Sequence, residues 1–254
     1  MASAELKAAI EAARLASRLI HTLYGQNLTV LTKADTSPVT RADVRAEEII
    51  HDTLRRSFPA YGFYGEESGA QNMGAESIWL VDPLDGTQSF VRDMPFFSTQ
   101  IALMRAGELV LGVSGAPVYG EFAWAEEGGG AFLDERLVRV SRVAELDAAF
   151  ISTGNIRSLS QDARWGRFGA LVGGVRRVRG YGDFVHYHLL ARGALDVVIE
   201  SDVHILDIAA LAVIVREAGG TFTDLSGARL GLATTSVLAT NAALHESVLA
   251  ALRP

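Results

Sequence analysis

The chain of 254 residues contains no cysteine, which excludes disulfides, thiolate metal sites and a cysteine nucleophile. It also lacks a long hydrophobic run without charges, so no segment is predicted to span a membrane. Lys and Arg form no extended block and the net charge is −7, which disfavours a nucleic-acid partner. Charged residues such as Glu5, Lys7 and Glu11 argue against a secretory signal peptide. We therefore expect a cytoplasmic protein.

The first part of the chain has the apolar pattern of two helices followed by several strands. Apolar residues three or four positions apart predict amphipathic helices over 4–24 and 41–57. An antiparallel meander is predicted from β-rich segments separated by glycines, over 97–104, 109–116, 121–125 and 130–133. We predict an N-terminal α+β part over residues 1–140.

After residue 150 the pattern changes to an alternation of strands and helices. Helices are predicted over 161–172, 183–192, 207–218 and 243–252, with short apolar strands between them. This alternation predicts a C-terminal α/β part over residues 141–254. A hydrophobic content of 49% is sufficient for a substantial core.

The most informative stretch is the segment 79–87, WLVDPLDGT, in which a predicted strand ends at two carboxylates. Pro83 cannot donate to a sheet ladder, so we expect the strand to end at Asp82. Asp82 and Asp85 repel each other unless a proton or cation lies between them, and Mg²⁺ prefers such oxygen ligands. Gly86 and Thr87 offer backbone N–H groups and a hydroxyl suited to a phosphate. The alternative is an ordinary turn after a strand.

Further acids occur where predicted elements begin or end. Glu66 and Glu67 follow an aromatic strand-like segment, and two strands in one sheet would bring Glu66 close to Asp82. Asp207 is predicted at the N-cap of a helix, and Asp43 lies three residues after the predicted N-cap Thr40. Helix capping alone would explain Asp43 and Asp207, and a solvated turn would explain the two glutamates. The functional interpretation is that these acids supply one metal site from several elements.

Four separated motifs together resemble those of the inositol monophosphatase superfamily. They occupy the segments 33–43, 65–68, 79–87 and 206–210 with 217–220. The resemblance implies a layered αβαβα sandwich of the inositol monophosphatase and fructose-1,6-bisphosphatase type, an α/β (α+β) fold. It also implies Mg²⁺-dependent hydrolysis of a small phosphate monoester, with a homodimer as the expected assembly.

The resemblance assigns metal ligands to individual residues. The expected ligands of two to three Mg²⁺ ions are Glu66, Asp82, the carbonyl of Leu84, Asp85 and Asp207. Mn²⁺ is an expected substitute for Mg²⁺, and Li⁺ is an expected inhibitor. Such ions would neutralise a doubly charged phosphate ester and acidify water.

The same resemblance assigns roles beside the metals. Gly86 and Thr87 match the residues that bind the phosphate, and Thr87 with Asp43 matches the pair that activates the attacking water. Glu67 matches an acid that holds water near the metals, and Lys33 matches a lysine on a flexible loop. Neither a Ser-His pair nor a GxSxG motif is present to suggest a covalent nucleophile.

Substrate preference is expected to depend on the second part of the chain. The segments 90–95, 179–184 and 206–211 resemble the bacterial histidinol-phosphate phosphatase branch. In that branch the acids matching Asp183 and Glu200 lie near the alcohol end of the substrate, where they would suit a cationic amino-imidazole group. Asp183 as an N-cap and Glu200 as a strand-end acid are the structural alternatives. Leu206 replaces the usual Trp, which removes an aromatic wall and bears on substrate preference rather than metal binding.

Three functions are therefore compatible with the sequence. The first is a histidinol-phosphate phosphatase of histidine biosynthesis. The second is an inositol-1-monophosphatase or a phosphatase of broad specificity for sugar phosphates and nucleotides. The third is a non-catalytic regulator associated with RNA machinery, which the acidic charge and the complete set of acids disfavour.

Two remaining features are expected to be structural. The histidine pair His186 and His188 would lie on different faces of a helix, so both are interpreted as surface or packing residues. The run Gly128-Gly129-Gly130 lacks the Lys-Ser/Thr of a phosphate-binding loop and is predicted to be a hairpin turn.

Overall fold

The computed structural model describes residues 2–26, 29–32 and 38–253. Lys33, the predicted loop lysine, lies outside these residues. The predicted antiparallel meander and both N-terminal helices are confirmed. The elements of the first part are α1 (Ala4–Leu23), β1 (Leu31–Thr32), β2 (Pro38–Val39), α2 (Arg41–Ser57), β3 (Gly62–Gly65), β4 (Gly69–Gln71), β5 (Ser77–Asp85), α3 (Thr87–Phe90), β6 (Ser98–Arg105), β7 (Glu108–Ala116), β8 (Glu121–Glu126), β9 (Gly130–Leu133) and β10 (Arg136–Val138).

The second part contains five more strands and five more α-helices. They are β11 (Phe150–Gly154), α4 (Ile156–Leu159), α5 (Trp165–Gly174), β12 (Arg177–Arg179), α6 (Asp183–Ala191), β13 (Val197–Ser201), α7 (Ile205–Glu217), β14 (Thr221–Thr223), β15 (Ser236–Thr240) and α8 (His245–Leu252). The helix predicted from residue 161 begins at Trp165 instead. Asp162 accepts a hydrogen bond from the Arg164 backbone N–H at 2.7 Å, which holds this segment in a turn.

Two large sheets organise these elements into five layers. The first sheet has the order β10-β9-β8-β7-β6-β5-β3-β4, and the second has the order β12-β11-β13-β15-β14. Helices α1 and α2 cover the outer face of the first sheet, α6 and α7 fill the space between the sheets, and α5 and α8 cover the second sheet. The predicted αβαβα sandwich is confirmed. No helix in the described part of the chain has both the length and the apolar character needed to cross a membrane.

The second sheet is mixed rather than a simple βαβ repeat. Strand β11 runs parallel to β12 and β13, as the alternation of strands and helices predicts. Strand β15, however, pairs antiparallel with both β13 and β14. The connection to β15 has no helix of its own after β14, so this part departs from the predicted alternation.

The central strand β5 continues through Pro83, so the prediction that it ends at Asp82 is wrong. Its apolar residues alternate between two cores, with Ile78 and Leu80 facing α7 and Trp79 facing α1 and α2. A register shift between Asp82 and Asp85 marks an irregularity in the pairing with β6. Pro83 lies in this irregular stretch, where the ladder needs no N–H donor. Asp82 and Asp85 flank this irregularity and pair with Gln100 and Ser98 of β6.

Helix α7 packs closely on the first sheet at Gly112 of β7. A Cβ atom at this position would collide with the backbone of Ala210 in α7. Because backbone atoms cannot move aside as a side-chain end can, only glycine allows the helix to lie this close to the sheet. Helix α7 carries Asp207, so this contact helps to set the position of that carboxylate.

Gly112→Ala is expected to destabilise the protein by about 3 kcal/mol, because overpacking forces the helix away from the sheet. For a chain of this length, the melting temperature would fall by roughly 6–12 °C. Thermal unfolding measures this change. Gly74→Ala is the matched control, since a Cβ there meets nothing within 4 Å. Equal melting temperatures for the two variants would contradict the packing argument.

The predicted glycine-rich hairpin turn is confirmed, and it is bound by the other half of the protein. Glu217, at the end of α7, accepts hydrogen bonds from the backbone N–H groups of Gly128 at 3.0 Å and Gly130 at 2.8 Å. The carboxylate therefore satisfies the donors of the turn and ties it to α7. This contact gives a structural role to the first residue of the motif 217–220.

Candidate active site

One cleft brings together most of the predicted site residues from both parts of the chain. It lies at the end of β5 and is bordered by the starts of α6 and α7. Its lining residues are Glu66, Asp82, Leu84, Asp85, Gly86, Thr87, Gln88, Ser89, Asn155, Asp183 and Asp207. The described residues that line it include neither Lys nor Arg, so the cleft is strongly acidic.

Three aspartates at the floor of the cleft are close enough to share a cation. Asp82, Asp85 and Asp207 each offer a carboxylate oxygen, and these oxygens lie within 4.8 Å of one another. Asp82 and Asp85 come from the irregular end of β5, and Asp207 comes from the first turn of α7. This arrangement fits a hard divalent cation, which prefers carboxylate oxygens.

Each aspartate is held by a neighbouring group. Asp82 accepts the backbone N–H of Leu84 at 2.9 Å, and Asp85 accepts the hydroxyl of Ser98 at 3.2 Å. Asp207 accepts the backbone N–H of His204 at 2.9 Å. Each of these bonds holds one oxygen of a carboxylate in place.

Asp207 is not the N-cap residue of α7, so that prediction is wrong in its position. His204 is the N-cap, and Asp207 occupies the third helical position, where its side chain bonds back to the N-cap backbone. The helix begins two residues earlier than predicted because His204, which is uncommon as a cap, accepts the N–H of Leu206 at 3.4 Å. Capping and metal binding are therefore compatible in Asp207, since one oxygen suffices for each.

Burial and mutual repulsion raise the pKa values of all three aspartates. Burial is the main cause of the raised pKa of Asp82, followed by the charges of Glu66, Asp85 and Asp207. Burial also raises the pKa of Asp85, with Asp183 as the largest neighbouring charge. The pKa of Asp207 is raised to about 7, mainly by burial, although the His204 N–H opposes this change. A bound cation would remove the repulsion, so the residues fit a metal site.

Glu66 and Glu67 occupy different environments. Glu66 lines the cleft, and the Glu66 backbone N–H donates to Val81 O at 3.1 Å, which places the residue beside the end of β5. Glu67 is not among the lining residues of this cleft. The Glu67 backbone N–H donates to Glu47 Oε2 at 2.8 Å, and its predicted role in holding water stays a prediction.

Glu47 is a buried acid that sequence reasoning missed. Its carboxylate accepts the backbone N–H groups of Glu67 at 2.8 Å and Ser68 at 2.7 Å, and it fills the space left by the absent side chain of Gly65. It therefore fixes the turn that carries Glu66. The sequence feature that could have identified Glu47 was its position four residues after Asp43, on the same face of α2.

Asp43 and Thr87 form a hydrogen-bonded pair beside the cluster of Asp82, Asp85 and Asp207. Thr87 Oγ1 donates to Asp43 Oδ1 at 2.8 Å and also lies 2.9 Å from the carbonyl oxygen of Leu84. The other Asp43 oxygen accepts the backbone N–H and hydroxyl of Thr40 at 2.8 and 2.7 Å, which confirms the predicted capping box. Burial raises the pKa of Asp43, although the hydrogen bonds from Thr40 and Thr87 oppose the change. A carboxylate with a raised pKa is a better base.

Gly86 holds the turn between β5 and α3. Its φ angle of +87° lies in the left-handed region that favours glycine, and a Cβ would lie 2.5 Å from the carbonyl oxygen of Phe96. The sharp turn places both Gly86 and Thr87 at the wall of the cleft.

The two predicted substrate-side acids differ in exposure. Asp183 lines the cleft, whereas Glu200 is buried and is not a lining residue. Asp183 is the first residue of α6, after Gly182 at the N-cap, so its alternative assignment as the N-cap is wrong. The pKa of Asp183 is raised to about 6, mainly by burial and then by the charge of Glu200. Leu206, which replaces the usual Trp, is 2% exposed and does not line the cleft.

The histidines of α6 are packing residues rather than surface residues. His186 and His188 are both buried and point to different partners. His188 contacts Glu121 Oε2 and Ser114 Oγ of the first sheet, each at 2.9 Å. His186 contacts Ser152 and Glu200 of the second sheet. Helix α6 therefore joins the two sheets through its histidines.

Comparison with known proteins agrees with this architecture. The model of the inositol monophosphatase family matches residues 2–254. The chain is 40% identical to a histidinol-phosphatase of Mycobacterium tuberculosis, over 98% of each chain, and 35% identical to an inositol-1-monophosphatase of Mesorhizobium japonicum, over 99% of this chain and 97% of that one. The crystal structure of the extragenic suppressor protein suhB from Bartonella henselae superposes with a TM-score of 0.91 at 33% identity, over 99% of both chains. The chain therefore belongs to the inositol monophosphatase family and is a metal-dependent phosphoric monoester hydrolase.

Proposed function

We propose that this protein is a Mg²⁺-dependent histidinol-phosphate phosphatase, which converts L-histidinol phosphate and water to L-histidinol and phosphate. The observation that carries the choice of substrate is the pair Asp183 and Glu200 beside the metal cluster. Histidinol carries an amino group that is cationic near neutral pH, and Asp183 in the cleft together with the charge of the buried Glu200 would attract it. The 40% identity to a histidinol-phosphatase supports the same choice.

The proposed metal ligands are the acids at the floor of the cleft. Asp82, Asp85 and Asp207 form the cluster, and Glu66 with the carbonyl of Leu84 completes the proposed set for two to three Mg²⁺ ions. Mn²⁺ is a proposed substitute, and Li⁺ a proposed inhibitor. Bound cations would supply positive charge for the phosphate oxygens and would acidify water.

The proposed role of Asp43 and Thr87 is to take up the proton of the attacking water. Thr87 Oγ1 can accept a proton from water while its own proton passes to Asp43, 2.8 Å away. The three hydrogen bonds to the Asp43 carboxylate hold it in place for this transfer. No covalent nucleophile is needed, since the water attacks phosphorus directly.

Gly86 and Thr87 are the proposed phosphate-binding residues. Both line the cleft next to Asp85, so a phosphate held there would lie against the metal cluster. We propose that the alcohol group of the ester then lies near Asp183, which lines the same cleft. Substrate identity therefore depends on the second part of the chain.

A substrate panel tests the proposed substrate. We expect phosphate release from L-histidinol phosphate to be severalfold faster, in kcat/KM, than release from inositol 1-phosphate. The reverse preference would favour the second candidate, an inositol-1-monophosphatase, which the 35% identity to such an enzyme supports. Comparable rates on sugar phosphates and nucleotide monophosphates would indicate broad specificity.

The remaining assignments are part of the same proposal. A non-catalytic role with RNA machinery is the third candidate, and detectable phosphate release would remove its basis. We propose a cytoplasmic homodimer whose residues 1–140 supply most metal ligands and whose residues 141–254 supply Asp207 and the substrate-side acids. Light scattering of the purified protein measures the oligomeric state.

A further inference from the structure

A continuous chain of hydrogen bonds connects the loop before α6 to Glu200. The backbone N–H of Tyr181 donates to Ser152 Oγ at 3.2 Å, and Ser152 Oγ lies 3.2 Å from His186 Nδ1. His186 Nε2 lies 3.1 Å from Glu200 Oε2, which also accepts the hydroxyl of Tyr187 at 2.6 Å. The three side chains at its centre, Ser152, His186 and Glu200, are buried. None of the metal-site or water-activating roles described above uses Ser152 or His186.

The direction of each bond follows from Glu200, whose carboxylate only accepts hydrogen bonds. His186 Nε2 therefore carries the ring proton and donates it to Glu200. In that tautomer Nδ1 has no proton and accepts the hydroxyl of Ser152, which in turn accepts the Tyr181 N–H. Glu200 Oε2 receives two donors, and this fixes the orientation of the carboxylate. Glu200 Oε1 is directed over Gly154, where a Cβ atom would collide with it.

The same chain holds the loop that carries Asp183. Gly182 and Asp183 both have positive φ angles, of +72° and +46°. Asp adopts this conformation more readily than most non-glycine residues, but it remains less favourable than the ordinary helical and extended regions. The Tyr181–Ser152 bond anchors the backbone two residues before Asp183. Ser152 and His186 thus lie between the loop of Asp183 and the carboxylate of Glu200.

Asp183 and Glu200 interact electrostatically, so their relative position matters. The charge of Glu200 contributes to the raised pKa of Asp183. A cation in the cleft would contact Asp183 directly, and the buried charge of Glu200 would also attract it. A small change in the position of either acid would weaken that attraction, since it is strong only at short distance and low solvent access.

We propose that Ser152 and His186 are positioning residues for substrate selection. They hold Asp183 and Glu200 at the positions from which both acids attract a cationic alcohol group of the phosphate ester. This inference rests on the proposed function, because it concerns the same acidic end of the cleft. It assigns selectivity to two buried residues that touch neither the phosphate nor the metal ligands.

The test compares two substrates in Ser152→Ala, His186→Leu and His186→Gln. L-Histidinol phosphate has a cationic leaving alcohol and glycerol 2-phosphate has a neutral one, and both are assayed at saturating Mg²⁺. For Ser152→Ala and His186→Leu we expect kcat/KM for histidinol phosphate to fall about tenfold, mainly through KM, as for a lost hydrogen bond to a charged group. The loss with glycerol 2-phosphate should be severalfold smaller. His186→Gln, whose amide can still donate to Glu200, should lose less than His186→Leu.

Two matched controls separate positioning from general damage to the core. Thr153→Val changes the neighbouring buried residue of β11, whose hydroxyl has no hydrogen-bond partner among the described residues. His188→Gln changes the other buried histidine of α6, which contacts the first sheet instead. Both should leave the ratio of kcat/KM for the two substrates unchanged.

A double-mutant cycle tests whether Ser152 acts through the acids. In a Glu200→Gln background, Ser152→Ala should reduce kcat/KM for histidinol phosphate by less than about twofold, since coupled residues are not additive. An undiminished tenfold loss in that background would overturn the inference. Equal losses on both substrates with a lowered melting temperature would also overturn it, as would no loss on either.

Failure of the proposed function is visible without any variant. If the unaltered protein itself favours inositol 1-phosphate over histidinol phosphate, the proposed substrate is wrong and this inference falls with it. If it favours histidinol phosphate while Ser152→Ala and His186→Leu keep that preference, only the positioning role is wrong.

Discussion

Asp82→Asn is expected to lower phosphate release by about a thousandfold, because a lost metal ligand removes several kcal/mol of stabilisation from the transition state. Asp82 is only 3% exposed and lies at the centre of the cluster with Asp85 and Asp207. The Asn side-chain oxygen can still accept the backbone N–H of Leu84, so the local turn should be preserved. Phosphate release at saturating Mg²⁺ measures the loss.

The stability of the same variant should change in the opposite direction. Burial and neighbouring acids raise the pKa of Asp82, so the metal-free folded protein binds more protons than the unfolded chain. Its stability therefore falls as the pH rises above the unfolded-state pKa of about 3.9. Removing the charge relieves this penalty. With EDTA at pH 8 we expect Asp82→Asn to melt at a higher temperature than the unaltered protein.

Added Mg²⁺ should reverse that order, since only the intact cluster gains from binding the cation. Asp52→Asn is the matched control, because the side chain of Asp52 is 80% exposed on α2. It should change neither activity nor the response to Mg²⁺. An Asp82→Asn protein with undiminished activity in Mg²⁺ would show that the metal mechanism is wrong.

The second large effect is expected at Thr87. Thr87→Val keeps the shape of the side chain but removes the hydroxyl that donates to Asp43 at 2.8 Å. Loss of general-base assistance should reduce kcat by about 100- to 10,000-fold. Stabilisation by Mg²⁺ should persist, because Thr87 contributes no carboxylate to the aspartate cluster. Single-turnover phosphate release and thermal unfolding measure the two properties separately.

Asp43→Asn should reproduce the loss of Thr87→Val, and the double variant should add little to either change. Thr22→Val is the matched control, since the hydroxyl of Thr22 donates to a helical carbonyl, that of Arg18, at 2.9 Å. Thr87→Val with normal kcat but a raised KM would assign Thr87 to phosphate binding alone. That outcome would remove the proposed path for the proton.

The apolar periods of the sequence predicted most of the helices and strands, whereas the resemblance to the inositol monophosphatase superfamily implied their layered order. Ile78 and Leu80 alternate with Trp79 on β5, and both sets are buried because helices cover both faces of the first sheet. The continuation of β5 through Pro83 could not be predicted. It depends on the irregular pairing with β6, a strand that is distant in sequence from the motif.

The acids of the site could be identified from local motifs, but their support could not. Asp43 was predicted in a capping box from its spacing to Thr40, and its second oxygen accepts the hydroxyl of Thr87. Glu47 and Ser98 hold the turn of Glu66 and the carboxylate of Asp85, and neither lies in a motif. Such contacts join residues from separate elements, so only the folded chain brings them together.

The order of the layers explains why the candidate metal site draws on both parts of the chain. Helix α7 lies between the two sheets and begins with Asp207, while β5 of the first sheet supplies Asp82 and Asp85. Gly112 permits the close packing that sets the distance between α7 and β7. The cluster of Asp82, Asp85 and Asp207 therefore results from packing between the two parts of the chain, and neither part forms it alone.

The central claim is that the protein hydrolyses a phosphate monoester at this aspartate cluster with a bound divalent cation. The most direct measurement is phosphate release from L-histidinol phosphate after treatment with EDTA, followed by addition of Mg²⁺. Activity should disappear in EDTA and return with Mg²⁺ in the unaltered protein, whereas Asp207→Asn should recover little of it. Phosphate release that persists undiminished in EDTA would contradict the account.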